Sequence, residues 1–153
     1  IGTGEVRIVN FEIFNEDGQP ARVLTSGRPY TFRFILESSI DRPNVVMGFQ
    51  FITEDARTAF STCSCAFLGE DGKEHSVEIP VSKGVNVVDS AVSRLWAGAG
   101  RYFVTAAVTP HQNINTCAQY YDVQWKRWAV SVQREGLIQS TVFEQPMSSW
   151  SVK

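Results

Sequence analysis

A chain of 153 residues is long enough to bury a full core as one domain, without help from disulfides or metal. Its 43% hydrophobic and 20% charged residues are those of a globular chain, and no apolar run reaches the roughly 20 residues of a membrane helix. A net charge of −2 excludes a strong electrostatic footprint for nucleic acid and a polybasic anchor for a membrane surface.

Hydrophobic residues recur with a period of two, as they do in half-buried strands. In the first segment Val6 and Ile8 share one parity, and Phe11 and Ile13 share the other. A phase change of this kind marks a β-bulge. Glu16-Asp17-Gly18 closes the segment, and Ser26-Gly27 precedes the next. There Tyr30, Phe32, Phe34 and Leu36 form one face, with Arg33, Ile35 and Glu37 on the other. Asp41-Arg42-Pro43-Asn44 breaks the chain. Met47, Phe49 and Phe51 then alternate with Gly48, Gln50 and Ile52. Beyond Asp71-Gly72, Val77, Ile79 and Val81 alternate with Glu78 and Pro80, and Lys83-Gly84 ends that strand. Residues 90–96 read as a short helix. Gly98-Ala99-Gly100 introduces Tyr102, Val104, Ala106 and Val108, which alternate with Phe103, Thr105 and Ala107. Trp128, Val130 and Val132 form the last clear face, which places Trp128 in the core. Strands separated by Gly, Pro, Asn and Asp turns, with no convincing amphipathic helix, predict one all-β domain over residues 1–153, a sandwich or barrel.

Chemistry that leaves short motifs is missing. There is no phosphate-binding Gly-x-x-x-x-Gly-Lys-Ser/Thr loop, no Gly-x-Ser-x-Gly elbow and no His-Glu-x-x-His. Cys63 and Cys65 sit two apart, a spacing that admits a metal or redox pair. His75 and His111 are the only histidines, and neither lies at zinc-like spacing, so the pair reads as two small residues on one strand face. Three cysteines, Cys117 the third, fit a reducing compartment better than a disulfide framework. Both histidines read as solvated loop residues. Glu54-Asp55 and Glu70-Asp71 read as turn acids, whereas Glu37 and Asp122 have aromatic residues nearby in sequence and are the better carboxylates for sugar chemistry. No catalytic residue, metal or cofactor is expected.

Binding chemistry is better represented. A sugar ring packs its C–H face on an aromatic side chain and needs hydrogen-bonding partners around its rim. Tyr120, Tyr121, Trp125 and Trp128 are interleaved with Asp122, Gln124, Lys126 and Arg127. Trp125 falls among polar residues before the last long strand and is the expected stacking residue, with Tyr121 beside it. The polar parity supplies a second candidate surface: Arg33, Glu37, Gln50, Thr105 and Ser131 line one sheet face if their strands are neighbours. Trp150 suits a dimer contact.

Several of these features recur in one known family. They are Gly4-Glu5 before the first strand, Asp17-Gly18 after it, and Ser26-Gly27-Arg28-Pro29-Tyr30 at the start of the next. Gly48-Phe49, Gly100-Arg101-Tyr102, Tyr121-Asp122, Val130-Ser131-Val132, the Gly136 turn and the tail from Pro146 to Trp150 follow in order. Together they resemble the carbohydrate-binding C-terminal domain of the ATP-binding subunit of ABC transporters that export O-antigen polysaccharides, the Wzt C-terminal domain family. Val130 departs from it, since members often carry Phe there, at a core position.

The resemblance implies a jelly-roll-like antiparallel β-sandwich. It implies non-catalytic binding of the nonreducing end, or its terminal modification, of a lipid-linked O-antigen polysaccharide, which couples finished glycan to export. It also implies a homodimer, formed in some members by exchange of the C-terminal strand. The partners implied are the exporter's ATPase domain and membrane subunit, in the cytoplasm at the inner face of the inner membrane, with no nucleic acid. The chain opens at Ile1 without Met, in keeping with a segment of such a longer subunit. A sandwich that mediates only protein–protein or subunit contacts is the alternative, because fold alone does not select a function.

Overall fold

The computed structural model describes residues 2–110, 119–135 and 148–153. His111, Cys117, Gly136 and Pro146 lie outside the described residues. The strands in chain order are β1 (Val6–Phe14), β2 (Val23–Thr25), β3 (Tyr30–Ser38), β4 (Arg42–Ile52), β5 (Thr58–Cys63) and β6 (Phe67–Leu68). They continue with β7 (Glu74–His75), β8 (Ile79–Val81), β9 (Gly84–Val92), β10 (Gly100–Thr109), β11 (Asp122–Gln133) and β12 (Ser148–Val152). No helix among the described residues is long and apolar enough to cross a membrane.

The strands form an all-β sandwich. One sheet runs β1-β3-β9-β12, and the other runs β2-β11-β10-β4-β5 with β8 added beside β4. β6 and β7 make a separate hairpin. The long pairings are antiparallel; β2 runs parallel to β11 over three residues.

Phenylalanines from both sheets meet between them. Phe32 and Phe34 of β3 lie 4.9 and 5.2 Å from Phe49 of β4, ring centre to ring centre. Phe51 lies 4.5 Å from Phe60 of β5. Each buried ring contributes roughly 1.5–3 kcal/mol through area removed from water, and tilted aromatic pairs add about 0.5–1.5 kcal/mol. Trp128 sits at the margin of this core, half-buried, with its ring 5.1 Å from Phe11. Trp150 of β12 is buried, 6.0 Å from Phe49, and so belongs to the core of this chain.

The phase change in β1 is a bulge. Ile8 opposes Leu36 and Asn10 opposes Ile35, which leaves Val9 as the extra residue. β1 is a free edge of its sheet, and the Ile8 N–H donates across the sandwich to Oδ2 of Asp122 at 2.9 Å. The same oxygen accepts from the Gln124 side-chain amide at 2.8 Å. A buried carboxylate thus ties β1 to the start of β11.

Two sequence expectations change here. Residues 90–96 form no helix: residues 90–92 complete β9, and residues 93–99 are irregular. β9 is paired along both edges, with β3 and with β12, and those ladders satisfy the backbone groups a helix would otherwise use. His75 is not a free loop residue: it lies in β7, stacks on Phe67 at 5.9 Å and hydrogen-bonds Asp71 at 2.8 Å. That bond holds the Asp71 carboxyl below its ordinary range.

Replacing Asp122 by Ala leaves the Ile8 N–H without its acceptor and is expected to cost about 1–3 kcal/mol. Asp122→Asn, which keeps a side-chain oxygen, should cost less. The shift in urea midpoint measures both.

Candidate functional site

The outer face of the larger sheet carries a groove of about 520 Å³. Its floor comes from the outward parity of the two central strands. Thr105 opposes Gln50, and Ala107 opposes Gly48. Ser61 of β5 opposes Gln50 on the other side. Glycine, alanine and serine rise little above the backbone, so the floor is low. Trp125 and Tyr120 contribute aromatic rings to the walls. None of the described lining residues is Asp, Glu, Lys, Arg or His. The described lining offers apolar contact and neutral hydrogen bonds.

A second irregularity positions the tryptophan. Val104 opposes Trp128, while Ala106 opposes Gln124, so Thr105 faces three residues of β11, Trp125 to Arg127. Lys126 takes the left-handed conformation, with φ +48°. Its N–H donates to the Thr105 hydroxyl at 2.9 Å, and its Nζ donates to the Glu54 carbonyl at 2.9 Å. The looped-out backbone leaves Trp125 60% exposed beside the groove. Trp125 thus lies inside β11, three residues past its start, rather than before the strand.

The remaining expected residues separate. Gln50 and Thr105 line the groove with Trp125. The Gln50 side-chain oxygen Oε1 accepts from the Thr58 hydroxyl at 3.1 Å. Tyr121 is 5% exposed, and its hydroxyl accepts the Arg42 Nε–H at 3.2 Å. Ser131 opposes Arg101 near the far end of β11. Arg33 and Glu37 belong to the other sheet. Arg33 makes two hydrogen bonds to Asp89, at 2.8 and 2.9 Å, and its guanidinium lies 4.9 Å from the Phe14 ring. Glu37 pairs with Arg7 at 2.6 Å. The single polar face expected from Arg33, Glu37, Gln50, Thr105 and Ser131 is therefore two faces, because β3 does not pair with β4 or β10. Asp122, which ties β1 to β11, and Glu37 are held in different sheets and form no carboxylate pair.

Ser61 and Thr62 of β5 were not anticipated as site residues, although both line the groove. Their signal was present in the run from Thr58 to Cys63, whose outward residues Ser61 and Cys63 alternate with buried Phe60 and Thr62.

Tyr120 is braced by the N-terminal segment. The Thr3 N–H donates to the Tyr120 carbonyl at 3.0 Å, and the Gly4 N–H donates to the Tyr121 carbonyl at 2.9 Å. Gly2 packs so closely that a Cβ would stand 2.3 Å from the Tyr121 oxygen.

A larger cavity, about 630 Å³, opens between Tyr30, Val92 and the β6–β7 hairpin. It is lined by Glu16, Glu70 and Asp71 and contains none of the expected binding residues. No cluster of His, Cys, Asp or Glu able to hold a metal occurs among the described residues.

Among the described residues the chain is a β-sandwich with a groove of apolar and neutral polar side chains on one sheet face. The chain belongs to the Wzt C-terminal domain family, whose model matches residues 1–142. That family is linked to O-antigen ABC transport. A solved structure described as the crystal structure of the C-terminal domain of wzt is similar over 99% of this chain and 81% of that one. The TM-score is 0.71 at 22% identity, a likeness of fold. No curated protein matches the chain.

Lys126→Val puts a β-branched residue at a left-handed position and is expected to destabilise the fold by about 1–3 kcal/mol. Lys126→Gly relieves the backbone; like Val, it loses the side-chain bond to Glu54 and the contact of the ammonium with the Phe103 ring. Thermal unfolding of the two variants should rank Gly above Val.

Proposed function

We propose that this domain binds, without catalysis, the nonreducing terminus or terminal modification of a lipid-linked O-antigen polysaccharide in the groove over β10, β4 and β5. Family membership supports the ligand class. The observation that carries the site is the pairing of an exposed Trp125 with a low, uncharged floor. A sugar ring stacked on the indole presents its hydroxyls to Gln50, Ser61, Thr105 and Tyr120, which can donate and accept. Tyr121, Arg33 and Ser131 act at a distance from that ring, Tyr121 by fixing the start of β11.

In this reading the finished glycan end is recognised by the exporter's ATP-binding subunit, which works with its ATPase domain and membrane subunit at the inner face of the inner membrane. The domain works as a homodimer, and β12, at the edge of its sheet, is the strand suited to exchange between copies.

Calorimetric titration with the native glycan, and with glycan lacking its terminal group, tests the proposal. Binding should be seen only with the complete end; equal affinity for both would reject end recognition. Trp125→Ala is expected to weaken binding about tenfold, or about 1.4 kcal/mol, with the unfolding midpoint unchanged. Unchanged affinity would move the site elsewhere, and no glycan binding at all would leave a protein–protein module.

A further inference from the structure

Cys63 and Cys65 do not share a strand face. Cys63 ends β5, and Cys65 stands in the turn that follows. Both are free thiols, and their sulfurs are 3.1 Å apart. That is about 1 Å beyond a covalent disulfide bond. Residues two apart on an extended strand have Cα atoms roughly 6.4–6.8 Å apart, the far limit for a disulfide. The turn shortens this span.

The local backbone holds the sulfurs together. Ala66 bridges back to Cys63, and the Cys63 thiol reaches the Ala66 carbonyl at 3.5 Å. Ser64, between the two, is anchored three ways. Its N–H donates to the Met47 carbonyl at 2.8 Å, its hydroxyl accepts the Met47 N–H at 3.1 Å, and its carbonyl accepts the Val77 N–H at 2.8 Å. Cys63 lines the outer groove, and Cys65 lines a smaller recess beside Pro110.

We propose that Cys63 and Cys65 form a reversible oxidation site, a dithiol that closes to an intrachain disulfide by exchange with a low-molecular-weight disulfide. The Cys65 sulfur, giving up its proton, attacks one sulfur of the external disulfide, whose S–S bond breaks. One thiol leaves, protonated, and Cys65 carries a mixed disulfide. The Cys63 sulfur then attacks Cys65, gives up its proton and releases the second thiol. Two protein thiols lose two electrons and two protons, and one small disulfide is reduced to two thiols.

The order of steps follows from environment. Burial, with the hydrogen bond and charge of Cys65 added, pushes the Cys63 thiol up to about 11. It stays protonated at neutral pH and reacts second. Capping Cys65 removes two of those three influences, while burial, the largest, remains. The proposal is independent of what the groove binds.

The reduced chain should be treated with oxidised glutathione, then alkylated, and its intact mass and peptides measured. The chain and its Cys117→Ser variant should each lose two hydrogens and yield a peptide linked between 63 and 65. Cys63→Ser, in the Cys117→Ser background, should stop at one bound glutathione. Phenylarsine oxide, which bridges adjacent thiols, should bind the Cys117→Ser chain one to one and lose binding when either Cys63 or Cys65 is Ser. A disulfide that always involves Cys117 would overturn the proposal. So would a Cys117→Ser chain that keeps both thiols alkylatable or accumulates two bound glutathiones.

Discussion

The contact between phenylalanines of the two sheets is the constraint on which the rest of the fold depends. Phe32 must meet Phe49, Phe51 and Phe60, and Phe34 must meet Phe49, so one parity of β3, β4 and β5 is committed to the interior. The other parity of β4, β5 and β10 is thereby forced outward, where it is free of packing demands. Gly48, Gln50, Ser61, Thr105 and Ala107 occupy that released face. A binding surface in a sandwich is in this sense the complement of its core, because a strand cannot turn one residue inward without turning its neighbours outward.

The two irregular strands differ in how they treat that alternation, and the difference explains what was legible. A single extra residue, Val9, reverses the parity of β1, so the break appears in the spacing of Val6, Ile8, Phe11 and Ile13. The three residues of β11 opposite Thr105 amount to two extra, and an even insertion restores the parity. Trp128 and Val130 therefore keep their expected side, and nothing in the periodicity reveals the loop at Lys126. Its left-handed φ falls on a lysine rather than a glycine, so composition gives no hint either.

The candidate site was legible to the same extent. Periodicity assigns each residue to a face of its own strand, and it placed Gln50 and Thr105 on outward faces, now neighbours in one groove. It carries no information about which strands are paired. Arg33 and Glu37 have the right parity but the wrong sheet, because β3 pairs with β1 and β9. Tyr121 illustrates a further limit. An aromatic residue in a polar run can be exposed or can cover a hydrogen bond, and here it accepts from Arg42. Residues 90–96 show the complementary effect, in which pairing on both edges of β9 decides a conformation that local sequence leaves open.

The bracing of Tyr120 has a mechanical consequence. Residues 3 and 4 are fastened to the carbonyls of residues 120 and 121 by two short backbone hydrogen bonds, and Gly2 lies flat against the same peptide. Tension applied along the chain at Gly2 meets these two bonds before it reaches β1, and passes from residue 121 to Val108 of β10. Residues 3 and 4 and the backbone that carries Tyr120 into the groove are thus joined through main-chain atoms alone.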